Sequence, residues 1–158
     1  MQCFRISAAL WIFLLVTLVP GDAFFRKGGR AKNFPHDMTR KSDLNRLYNA
    51  RVIHAERVRR PLGKLPVAIG PLSHSGVRVT LDNGKKYLIH KGPGFGRTSQ
   101  TVVVDANHMS DRWKVVQSKD MERRKNVADF VKAGGSNYRL FSDNCHSGAC
   151  RMMRQKKR

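Results

Sequence analysis

Hydrophobic and polar positions alternate most clearly in the middle of the chain. Val77, Val79 and Leu81 are interleaved with Arg78 and Thr80, the period-two pattern of a strand with one buried face. Asp82-Asn83-Gly84-Lys85 then supplies a strong hairpin signal, and Tyr87-Leu88-Ile89-His90 returns as the partner strand. The loop Gly92-Pro93-Gly94-Phe95-Gly96 separates this hairpin from Thr101-Val102-Val103-Val104, and Trp113-Lys114-Val115-Val116-Gln117 makes a fourth strand. Beyond it the period lengthens. Val127, Phe130 and Val131 share one face of a helix capped by Ser118 or Asp120, running to about Ala133 and stopped by Gly134-Gly135. A last helix starts near Cys145, carries Ala149, Met152 and Met153 inward and gives way to the basic tail at 154–158. The pattern predicts an α+β domain over 72–153, a small antiparallel sheet of four strands with helices packed on one side.

Upstream the pattern is weaker. Positions 24–64 hold twelve Lys or Arg against three acids, and only 42–51 looks helical, with Leu44, Leu47 and Tyr48 on one face and Ser42 as N-cap. Prolines punctuate 61–71. Together these predict a basic arm over 24–71 that carries one short helix and a linker. Arg57-Val58-Arg59-Arg60 has the spacing of a proprotein convertase site, but Pro61 is a poor residue after the scissile bond, so the run reads as a solvated charge cluster. Residues 1–23 join Arg5, an apolar run from Ala8 to Val19 and a small-residue end at Ala23, the form of a cleaved signal peptide. The expected product is secreted, with no spanning helix left after cleavage.

Charge narrows the partners. The net charge is +20, and loss of 1–23 removes one Arg and one Asp and leaves it unchanged. Such a surface meets anions: phospholipid head groups at a membrane periphery, bacterial wall fragments, glycosaminoglycans, or nucleic acid without sequence preference. Cys145 and Cys150 are the only cysteines after position 3, too few for a disulfide-built miniprotein. No Cys-x-x-Cys or His-x-x-x-His spacing supports a metal, and the glycine-rich loop at 92–97 opens no helix that could cradle a phosphate, so neither metal nor cofactor is expected.

Candidate chemistry centres on Asn144-Cys145-His146. A cysteine at a helix start meets unpaired backbone N–H groups and the positive end of the helix dipole, which favour a thiolate. His74 stands at the entrance of the first strand and His90 at the end of the second, with Asp105, Asn107 and His108 as further polar groups. Ser73-His74-Ser75-Gly76-Val77-Arg78-Val79, then Tyr87-Leu88-Ile89-His90, then Asn144-Cys145-His146 resembles the circularly permuted papain-like thiol enzymes, which include the lecithin:retinol acyltransferase-like, NlpC/P60 and PPPDE groups. The resemblance implies a permuted papain-like fold with Cys145 as nucleophile, His74 as base and His90 as the group that orients it. The implied activity is a hydrolase or acyltransferase working on an ester or amide through an acyl-enzyme.

Two local conditions go with this expectation. A two-residue loop at Asn83-Gly84 would pair Val77 with His90 and turn His74 to the other face, so that a shared site needs a bulge near Gly76. A Cys145–Cys150 disulfide, the competing use of the thiol, needs 145–150 not to be helical, because residues five apart on a helix exceed the roughly 7 Å limit for a bridge. The alternatives are a non-enzymatic cationic protein that binds anionic surfaces in host defence or matrix, and a basic ribonuclease using two histidines, for which the expected disulfide framework is missing.

Overall fold

The computed structural model describes residues 37–156. The signal peptide at 1–23, the first part of the basic arm and the last two residues of the tail lie outside the described residues. The elements are α1 (Lys41–Asn49), β1 (Arg51–Pro61), β2 (Ser73–Leu81), β3 (Lys86–Lys91), β4 (Thr101–Asp105), β5 (Lys114–Asn126), α2 (Val127–Gly134) and α3 (Cys145–Arg154). The five strands form one antiparallel sheet in the order β4-β3-β2-β1-β5. The domain is therefore α+β, as the pattern predicts.

Alternation along β2 sends Val77, Val79 and Leu81 to one face, where they meet Tyr87 and Ile89 of β3, Phe130 of α2 and Ala149, Met152 and Met153 of α3 in the buried core. His74, Gly76, Arg78 and Thr80 point to the other face. Burial of the core side chains contributes about 1.5–3 kcal/mol each, which fixes α3 against the sheet.

The first strand corrects the reading of 52–60 as part of an arm. β1 lies between β2 and β5 and is paired along both sides, so Arg57-Val58-Arg59-Arg60 belongs to an interior strand and is neither a solvated cluster nor an accessible processing site. Its sequence hides this for a physical reason. The register shifts between Val52 and His54, which puts Val52 and Ala55 on the same face although they are three apart, while Val58, opposite Gly76, is buried on the other face, so that the buried positions Val52, Ala55, Val58 and Pro61 follow no period of two.

The fourth predicted strand is also longer than its pattern. β5 runs on to Asn126 through a register shift opposite Ile53, where Glu122 and Arg123 adopt positive φ of 52° and 57°. Ser118 and Asp120 are strand residues. The helix begins instead at Asn126, whose side chain accepts from the Asp129 N–H while the Asp129 carboxylate accepts from the Asn126 N–H, a reciprocal capping box. Gly135, at φ 88°, ends α2 as expected.

The hairpin contains the correction that matters most for function. Thr80 pairs with Lys86, and Leu81 N–H donates to Lys85 C=O, so that the loop holds three residues, Asp82, Asn83 and Gly84. Gly84 sits at φ 80°, the left-handed residue that such loops require. The register therefore moves by one: Gly76 faces His90, and Val77 faces Ile89. His74 and His90 now share a face along a regular strand, and the bulge expected near Gly76 does not occur. Gly84→Ala is expected to destabilise the domain by about 1–2 kcal/mol, the cost of a side chain in the left-handed region, measured by urea denaturation.

Candidate active site

The two histidines meet at the end of the β2–β3 ladder. His74 Nε2 lies 3.0 Å from His90 Nδ1, with ring planes at 87°. The backbone permits this approach because Gly76, directly opposite His90, has no side chain: a Cβ there would lie 2.8 Å from Leu88 Cδ1 and 3.0 Å from His90 Cβ. Trp113 and Phe95 enclose the pair. The Trp113 ring centroid is 5.5 Å from that of His74, Phe95 is 4.9 Å from His90, and the Arg60 guanidinium lies 5.3 Å from the Trp113 centroid.

Cys145 is the first residue of α3. Asn144 caps the helix, its Oδ1 accepting from the N–H groups of His146 and Ser147. The thiol is buried and free, and 145–150 is regular helix, so Cys145 is not bridged to Cys150. The nearby backbone N–H groups of Ser75, Cys145 and His146 favour its thiolate. Ser75 is the residue after His74, and its hydroxyl, on the helix-covered face, lies 2.7 Å from His146 Nδ1. The strand thus delivers His74 to one face and, one peptide further on, holds α3 by side chain and backbone.

A second anchor fixes the approach to the cysteine. Lys91 is fully buried, and its ammonium donates to Gly134 C=O at 2.9 Å and to the Asp143 carboxylate at 2.6 Å, where Arg151 adds a 2.7 Å contact. Burial raises the Asp143 carboxyl, but these two cations outweigh it and hold it below the ordinary range. The chain entering α3 is pinned by that carboxylate, two residues before the thiol.

Electrostatics keep the site neutral at rest. Burial, reinforced by the neighbouring His90, Arg60 and His146, lowers His74 to about 3; burial and Arg60 lower His90 to about 4. Burial pushes the Cys145 thiol up, opposed by the three backbone N–H groups and by Arg57. Burial together with Cys145 pushes the Tyr138 hydroxyl up to about 12. Tyr138 also lines a cleft of about 440 Å³ formed with Pro93, Gly94, Gln100, Asn137 and Arg139, which His74, His90 and Cys145 do not line.

Of the expected triad, then, His74 and His90 are in direct contact, whereas Cys145 stands with α3 on the opposite face of β2, beside the backbone of Ser75. Among the described residues no hydrogen bond joins the thiol to either ring. Asp105 does not join the histidines: it pairs with Tyr87 at the far end of β3, where its side chain accepts from the Asn107 N–H. Trp113, Phe95 and Arg60 went unrecognised in the sequence, where Trp113 read as a strand residue and Arg60 as part of a charge cluster; only the aromatic in the glycine-rich 92–97 loop hinted at a cover. No family model, curated protein or solved structure matches this chain.

Both histidines take up protons near pH 6.5 when unfolded but resist them when folded, so the unfolded state binds more protons as pH falls from about 6.5 toward about 4. Stability is therefore lost as pH falls through that window. The thermal midpoint is expected to drop between about pH 6.5 and pH 5, and less steeply in His74→Gln/His90→Gln, with a remainder from His146, which burial also lowers.

Proposed function

We propose that the protein is a secreted Cys/His-dependent hydrolase or acyltransferase that cleaves an ester or amide through an acyl-enzyme on Cys145. The observation that carries the reading is the His74–His90 contact at 3.0 Å, one residue from Ser75, whose backbone N–H favours the Cys145 thiolate. With His74 Nε2–H donating to His90 Nδ1, the Nδ1 lone pair of His74 is left as the base. His90 fixes that tautomer and stabilises the imidazolium that forms, the role of the third member in such triads.

In the first step the thiol proton passes to His74 Nδ1 around the end of β2, by way of a water, as sulfur attacks the acyl carbon. The proton then goes to the departing alcohol or amine, which leaves the acyl group on sulfur. Water, or a second alcohol for transfer, gives its proton to the same nitrogen and attacks the thioester, and the thiol is restored. The Asn144 cap takes the N–H groups of His146 and Ser147, which leaves the N–H of Cys145 at the first turn of α3 as the donor for the oxyanion. The raised thiol and lowered imidazoles favour proton transfer during attack over a resting ion pair.

Hydrolysis of a p-nitrophenyl acyl ester tests the reading. Cys145→Ser should abolish the burst of nitrophenol, His74→Gln should lower kcat/KM by about 10²–10⁴-fold, and His90→Gln by a smaller factor. A Cys145→Ser protein that turns over as fast as the parent would remove the proposal.

A further inference from the structure

Apart from Met38, the large hydrophobic side chains that remain exposed among the described residues are not scattered. Leu65 is 40 % exposed, Val67 54 %, Ile69 63 % and Leu72 42 %, all in the connection from β1 to β2, and Phe141, just before α3, is 78 % exposed. Phe95 and Val115, also exposed, lie in the β3–β4 loop and at the start of β5. In this antiparallel sheet every one of these segments falls at the same end, the one that carries His74, His90 and Cys145.

Charge is divided along the same axis. At the apolar end Lys64, Arg97, Lys114 and Arg139 are exposed, and positions 62–72, 92–100 and 135–142 contain no carboxylate. Asp82 at the hairpin tip, Asp105 at the end of β4 and Asp129 at the start of α2 stand at the opposite end; of the acids at the apolar end, Asp143 is paired with Lys91 and Arg151, and Asp111 is the neighbour of Arg112. The Arg112 guanidinium donates to Gly63 C=O and Leu65 C=O, both at 2.6 Å, and holds the β1–β2 connection in place. Isolated exposed apolar residues need no explanation, but a cluster with interspersed cations that outnumber its acids has the composition of an interfacial membrane contact.

We infer that this end of the sheet is a docking surface for anionic phospholipid bilayers, with Leu65, Val67 and Ile69 entering the interface and Lys64 and Arg139 meeting the head groups. Apolar burial and attraction to the anionic surface act together, so binding needs both. The surface stands on exposure and charge alone and is independent of thiol chemistry.

The test is sedimentation of the exported protein with vesicles of phosphatidylcholine containing roughly 30 % phosphatidylserine, compared with phosphatidylcholine alone. The parent and Cys145→Ser should bind the anionic vesicles alike and release as salt rises from about 0.1 M to about 0.5 M. Leu65→Ser/Val67→Ser/Ile69→Ser should lower the partition coefficient about tenfold or more, and Lys64→Glu/Arg139→Glu should weaken binding mainly at low salt, each with an unchanged circular dichroism spectrum. Equal binding by the triple-serine protein, or failure of the parent to bind, overturns the inference. So does a parent dimer that the serine changes dissolve while vesicle binding stays the same, which would give this face to a second copy of the chain.

Discussion

The site depends on the register of one hairpin. Three residues between β2 and β3, with Gly84 in the left-handed region, set Gly76 opposite His90. A loop shorter by one residue would move every side chain of β3 to the other face. The histidines would then be separated by the thickness of the sheet, and Ile89 would leave the core. The histidine pair and core packing are thus enforced together, since the register that buries Val77 beside Ile89 is the one that brings His74 to His90. Gly76 completes the constraint by removing the only side chain that would stand between them.

The cysteine is positioned by different means. Helix α3 is drawn onto the sheet by Ala149, Met152 and Met153, its start is fixed by Asn144, and the loop before it is tied to β3 through Asp143 and the buried Lys91. A buried ammonium is tolerated here because a carboxylate and a carbonyl satisfy it; loss of either partner alone would leave a charge in the core. Ser75 links the two halves through its hydroxyl, which meets His146. Sheet and helix therefore converge at residues 74 and 75 from opposite sides.

Much of this was legible in the chain. Regular alternation identified β2 and β3, and glycine and asparagine marked the ends of α2 and α3, because in these places one residue type decides the local backbone. The parts that were not legible depend on pairing. β1 hides its period behind a register shift and its strand character behind arginines, whose burial follows only from neighbours on both sides. β5 passes through two residues at positive φ, Glu122 and Arg123, which no side-chain preference announces. The candidate histidines were found, but the reason that they share a face was not. Aspartate-asparagine-glycine serves loops of two or three residues equally well, and the choice between them is made by the core. Trp113 and Phe95 escaped for the same kind of reason, since they approach the histidines from segments remote in sequence.

The central claim is that the neutral His74–His90 pair makes Cys145 a nucleophile. Mass spectrometry of the folded, reduced protein quenched in acid during turnover of an acyl ester addresses this most directly, because it reads the bond that the claim requires. An acyl mass on the Cys145 peptide, present in the parent and lost in His74→Gln, is the predicted result. An unmodified Cys145 during ester turnover, or an adduct that forms equally fast without His74, would contradict it.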